Sequence, residues 1–234
     1  MNPLAITIKP FSPRVRVLLL SLVAPLMLAG CAATETSQAL ETRKVSSYNT
    51  NYSGPRYTLV VGAFQNRSSY QRGIFSDGTD RLGSQAKTIL KSHLQQTNRF
   101  ELVDRDSMAT LAEESAIAKV QQALEGASIA VTGDVTEFGR RNTGDKQLFG
   151  ILGAGKKQTA YAKVALNLVD VRTSKIVYSS QGAGEYNLSN REVVGFGGTA
   201  GYDATLNGKV LDLAITEAID RLVEGLERGA WSPS

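Results

Sequence analysis

The chain has 234 residues, a formal net charge of +4, one histidine and one cysteine. A lone cysteine excludes an internal disulfide and a cysteine-based metal cluster. Three of the net positive charges sit at Lys9, Arg14 and Arg16, so the rest of the chain is close to neutral and offers no basic patch for nucleic acid.

Residues 1–16 carry those three cations and no acid, and an apolar run follows from Val17 to Ala29, broken only by Ser21 and Pro25. A bilayer-spanning helix needs about 20 apolar residues. This run is shorter and has the order of a secretory signal. It ends Leu28-Ala29-Gly30-Cys31, which resembles the lipobox of bacterial lipoproteins. The resemblance implies removal of residues 1–30, a diacylglycerol on the Cys31 thiol and an acylated new amine, so Cys31 is the expected lipid-attachment residue. One acyl chain anchors only marginally, whereas three hold durably. Ala32 stands where an aspartate would resemble an inner-membrane retention signal, which points to the outer membrane, periplasmic face.

Residues 31–54 are rich in Ser, Thr, Asn and Gln. With almost no large apolar side chains they cannot offset their ordering entropy, and they are expected to form a lipidated flexible tether. Residues 55–234 amount to one domain.

Within the domain, Tyr57 to Phe64 reads as a buried strand, β-branched at its centre, followed by a polar loop over 65–78. Leu82, Ala86, Ile89, Leu90 and Leu94 recur at helical spacing, with Lys87 and Lys91 on the other face. Phe100 to Val103 is a brief strand, and Asp106 is placed to N-cap a helix carrying Met108, Leu111 and Ala112. Ser128 to Val135 is a third strand. Ala160, Ala162, Val164, Leu166 and Leu168 alternate strictly, then turn at Arg172-Thr173-Ser174 and return through Lys175 to Ser180 as a hairpin. Leu211, Ile215, Ala218, Ile219, Leu222 and Leu226 mark a closing amphipathic helix. The expected class is α+β, an antiparallel or mixed sheet packed with helices.

Two glycine-rich segments, 138–159 and 182–208, are longer than connections in compact domains usually are. The first contains Gly150-Ile151-Leu152-Gly153-Ala154-Gly155-Lys156, which looks like a nucleotide-binding loop. Lys157 stands where that loop needs Ser or Thr, and β-like alternation follows instead of a helix. Gly195 to Gly201 approaches a dinucleotide fingerprint, but its third glycine is one position late and the flanking βαβ unit is missing. His93 reads as a helix-surface residue, without the second histidine or thiolate of a zinc site. Asp104, Asp106, Glu113 and Glu114 fit a helix start better than a catalytic pair. No catalytic residue, cofactor or metal site is expected, and the chain is not read as an enzyme.

The order of these parts resembles the CsgG family, the lipoproteins that form the secretion channel for curli fibres. Ser128-Ile129-Ala130-Val131-Thr132-Gly133-Asp134-Val135 resembles the strand leading into the family's first membrane hairpin. Val164 to Val177 resembles its characteristic hairpin, with Asn167, Val169-Asp170 and the Thr173 turn; the usual turn glycine is Ser174 here. The last helix with Gly229-Ala230-Trp231 matches the family's C-terminal end. The resemblance implies a ring of periplasmic domains, each sending two hairpins into a shared outer-membrane barrel, and 138–159 and 182–208 stand where they would arise. It also implies that loop 65–78 narrows the channel. The family's adjacent Asn-Phe pair is absent, leaving Tyr70 and Phe75 as candidate constriction residues.

Two readings stay open from the sequence. One is an oligomeric curli-type secretion component that exports or assembles fibre or adhesin subunits, with accessory envelope lipoproteins as partners. The other is a periplasmic scaffold lipoprotein that has the same domain and spans nothing. Both require the anchor. Cys31→Ser should therefore leave a soluble or unprocessed protein that no longer fractionates with outer membranes, as checked by density-gradient separation and immunoblotting.

Overall fold

The computed structural model describes residues 42–70, 78–146, 154–192 and 205–232. Cys31, Phe75, Gly195 to Gly201 and the tip of the first glycine-rich segment lie outside the described residues. The described part belongs to the unit Thr42–Ser234. Its elements in chain order are β1 (Tyr57–Asn66), α1 (Arg81–Gln96), β2 (Phe100–Val103), α2 (Met108–Ala118), β3 (Ile129–Lys146), β4 (Ala154–Asp170), β5 (Ile176–Glu192) and α3 (Thr205–Glu227).

The five strands form one mixed sheet in the order β2-β1-β3-β4-β5. β1 pairs in parallel with β2 and β3, and β3–β4 and β4–β5 are antiparallel. The α+β class expected from the pattern is the one observed. Strand alternation puts Leu59 and Val61 of β1, Ile129, Val131 and Val135 of β3, and Ala160 to Leu168 of β4 into one core. α1 and α3 touch each other and lie over that core.

α1 buries Leu82, Ala86, Leu90 and Leu94, as its periodicity requires, and Asp80 caps it by accepting from the Gly83 amide at 2.7 Å. The other oxygen of the same carboxylate accepts from the Asn66 amide at 2.7 Å, tying the end of β1 to the start of α1. α2 begins one residue later than expected: Ser107 occupies the N-cap and gives no side-chain cap. Asp106 is diverted to lysines, accepting from Lys87 at 2.7 Å and from Lys91 at 2.7 Å, while Lys91 also reaches Asp104 at 2.8 Å. Hydrogen bonds from Lys91 and Ser107 hold the Asp104 carboxyl well below the usual range, and Lys87 and Lys91 lower that of Asp106. That contribution is present above about pH 4 and is lost as pH falls below it.

The Arg172–Ser174 turn folds on Asp170, whose carboxylate accepts from the Thr173 amide at 2.7 Å and hydroxyl at 2.8 Å. Ser174 has φ +57°, a left-handed conformation that glycine adopts without penalty. At the C-terminus Gly229 has φ +69° and the Ala230 amide bonds back to the Gly225 carbonyl, a left-handed helix ending. The chain then places Trp231 against Tyr57, Phe100 and Tyr178 with ring centroids 6.0–6.3 Å apart.

The tether expected over 31–54 stops sooner than its composition implies. From Thr42 onward the chain belongs to the domain. Val45 is buried, and Ser46 donates its amide and hydroxyl to Asp220 on α3 at 2.9 and 2.8 Å. One apolar side chain and backbone-to-carboxylate bonds suffice here, because the groove beside α3 supplies the remaining surface.

α3 lies so close to β5 that a Cβ at Gly182 would overlap the Ala214 carbonyl and the Ala218 amide, and one at Gly184 would crowd Leu213 and the Val210 carbonyl. Replacing Gly182 with Ala should therefore lower stability by about 1–3 kcal/mol through overpacking. Gly126→Ala, with nothing within 4 Å of the added carbon, is the control. Urea midpoints of the two purified variants make the comparison.

Candidate functional site

The described residues bring candidate groups together at three places, each ending on α3. The first is at the root of the long β3–β4 hairpin. Here Tyr70, one of the two candidate constriction residues, packs its ring on Phe138 at 4.6 Å. Its hydroxyl accepts from Asn207 Nδ2 at 3.3 Å, and Arg140 donates to Asn207 Oδ1 at 3.0 and 2.7 Å. Tyr70 is half-buried, so in the single chain its ring joins the loop to the hairpin and the helix. Phe75 is outside the described residues and is not brought to Tyr70 by anything seen here.

The second place corrects the reading of His93 as a surface residue. His93 is 4% exposed. Its Nε2 lies 2.6 Å from Asp212 Oδ1 and its Nδ1 3.3 Å from Gln96 Oε1, with the Thr216 hydroxyl 3.4 Å away. Helical spacing alone put it near the end of α1 but could not show that α3 crosses there. No nucleophile sits beside this pair, and the arrangement binds two helices together. Among the described residues no group of three or more His, Cys, Asp or Glu side chains converges on a metal position.

The third place is a cleft of about 830 Å³ between residues 46–54 and α3. Arg99, 4% exposed, forms its floor. Its guanidinium donates to Glu227 at 2.9 and 2.5 Å, to Thr50 Oγ1 at 2.9 Å and to the Thr97 carbonyl at 2.8 Å. Tyr52 covers the cation at 4.6 Å. Burial raises the Tyr52 phenol above its ordinary pKa, opposed by the Arg99 charge. Sequence reading missed this site because Arg99 finds its partners 49 and 128 residues away.

The nucleotide-loop lookalike is the end of a hairpin. Its last residues open β4, where Lys156 pairs with Gly144 on β3 and Asn190 on β5. Neither a preceding strand aimed at a phosphate nor a following helix is present, so the backbone geometry of a phosphate cradle is missing.

A mixed sheet covered on one face by two helices, with a long three-stranded ribbon rising from it, is the frame in which these sites sit. A family model described as "Curli production assembly/transport component CsgG" matches residues 42–233. The chain belongs to the CsgG family. A protein of Neisseria meningitidis serogroup B, named as a candidate lipoprotein, is 65% identical over 211 residues, covering 90% of this chain and 94% of that one. Among solved structures, the PelC dodecamer from Paraburkholderia phytofirmans is 16% identical with a TM-score of 0.33, covering 72% of this chain and 93% of that one. Lipoprotein GNA1162 from Neisseria meningitidis is 12% identical with a TM-score of 0.35, covering 75% and 100%. Likenesses of that size decide nothing about the assembly of this chain.

Glu227→Gln removes the charge that faces the buried guanidinium while keeping its shape. It should lower stability by about 1–3 kcal/mol, since a charged hydrogen bond to a buried group is lost. It should also loosen residues 46–54, seen as faster amide exchange there than in α1.

Proposed function

We propose that this chain is an outer-membrane lipoprotein, held at Cys31, whose copies assemble into an oligomeric export channel for extracellular fibre or adhesin subunits. The observation that carries this reading is the length of the ribbon. β3 alone has 18 residues, about 60 Å at roughly 3.4 Å per residue, where strands of five or six are usual. Its pairing with β4 continues from Glu137↔Lys163 to Lys146↔Ala154, and β4 stays paired with β5 to Ala154↔Glu192. The part beyond Phe138 approaches the length of a membrane strand, about 9–11 residues. β5 ends as a sheet edge, and closure of neighbouring edges into a barrel is what lipid demands of strands. The 65% identical relative, named as a candidate lipoprotein, and membership of a family described by curli assembly and transport support the anchor and the cargo class.

A scaffold that spans nothing is the second reading. It is favoured by the composition of the same ribbon, where Arg140, Arg141, Lys146, Lys156 and Lys157 interrupt the apolar alternation that lipid-facing strands require.

Electron microscopy of the detergent-extracted protein together with planar-bilayer recording separates the two. The channel reading expects rings that conduct; rings that never conduct favour the scaffold. In the channel, loop 65–78 sets the narrowest diameter, with Tyr70 and Phe75 as its candidate aromatics. Replacing both with Ala should raise single-channel conductance with oligomerisation unchanged. The single variants divide the effect. Tyr70→Ala should lower thermal stability, because its ring fills space against Phe138, and Phe75→Ala should carry the larger conductance gain.

A further inference from the structure

α2 has no buried side chain. Its two ends are nevertheless fixed. At its root Lys87 and Lys91 hold Asp106 and Asp104. At its exit Arg105 donates to the Glu125 carbonyl, and Thr58 Oγ1 donates to the Glu125 carboxylate at 3.0 Å. Between these ties Leu111 is 46% and Ile117 68% exposed, and Val120 and Leu124 follow, also exposed. An isolated helix of 11 residues is marginal in water, and this one carries large apolar side chains into solvent without burying any.

The sheet has the matching deficit. α1 and α3 cover one face, and no helix among the described residues covers the other. On that open face the pairing registers line up Val103, Val60, Ala130, Val169 and Ile176, one residue from each strand. The first four are half-buried by their neighbours, and Ile176 is 62% exposed. The charges are complementary too. Glu113 and Glu114 on α2 are exposed and make no ion pair among the described residues; Arg172 and Lys175, in the turn at the Ile176 end of the row, are likewise exposed and make none.

We propose that α2 of one copy docks on this apolar row of a second copy, with Glu113 and Glu114 facing Arg172 and Lys175. The proposal rests on the oligomeric reading above and names the surface through which it is made. Opposite unpaired charges and two uncovered apolar surfaces on one chain fit a second copy of that chain. The contact is heterologous: each copy gives a helix to one neighbour and offers its sheet to the other, which closes into a ring when the rotation allows. Burying the row and the helix removes exposed apolar surface from both partners, and the charge pairs fix their orientation.

The test uses the full lipidated protein extracted in mild detergent. Glu113→Lys with Glu114→Lys, and separately Arg172→Glu with Lys175→Glu, should each reduce the oligomer fraction at least tenfold by size exclusion with light scattering. The quadruple variant should restore it. All four side chains are exposed, so folding is not at stake, and circular dichroism verifies this. A Leu111→Cys, Ile176→Cys double variant treated with a short bis-maleimide should give a ladder beyond dimers, whereas either single variant should not. Wild-type rings that survive both charge reversals and give no ladder would overturn this surface and leave the assembly reading standing. A wild-type protein that is monomeric throughout would overturn both.

Discussion

The seating of α3 on β5 is the contact on which the rest of the domain depends. Gly182 and Gly184 let helix backbone approach strand backbone, and the apolar face from Leu206 to Leu226 is buried as a result. Each fully buried side chain of that size is worth roughly 1.5–3 kcal/mol, so the helix is held firmly along its length. Its polar residues then reach fixed positions. Asn207 meets Tyr70 and Arg140, Asp212 meets His93, Asp220 meets Ser46, and Glu227 meets Arg99. Trp231, just beyond, closes the lower end of the sheet against three aromatic rings. A shift of the helix by one turn would break all of these ties together.

The elements were legible where a single period dominates. The alternation from Ala160 to Leu168 and the helical spacing of Leu82 to Leu94 and of Leu211 to Leu226 reappear as β4, α1 and α3. The first glycine-rich segment was correctly taken as a hairpin, and its paired strands run up to residues 146 and 154. What composition concealed depends on partners distant in sequence. Residues 42–54 look like a tether because their anchorage lies 174 residues away at Asp220. His93 looked exposed because its partner lies on a helix 119 residues further on. Asp106 was taken for a helix cap, since sequence spacing cannot show two lysines from the preceding helix competing for it. Gly182 and Gly184 suggested a loop, whereas they mark the place where two backbones meet.

The candidate sites were legible to a lesser degree. Cys31 and Phe75 rest on motif and resemblance alone. Tyr70 was singled out as an aromatic in a loop, and it is now tied by ring and hydroxyl to the base of the hairpin. In an assembled channel that tie would couple the loop's position to the strand and helix beneath it. Arg99 was not foreseen. An arginine before a short strand carries no local signature, and its role emerges only from the groove formed by the two chain ends.

The dependence of every long-range tie on α3 has a consequence for biogenesis. α3 is the last element of the chain, and parallel pairing of β1 with β3 is already a slow, non-local step. Until the C-terminal residues have left the export machinery, β4 and β5 have no cover, Arg99 has no counter-charge, and residues 42–54 have nothing to lie on. The chain therefore cannot close prematurely during translocation. It stays threadable until its final helix is delivered, and then gains most of its long-range contacts in one cooperative step.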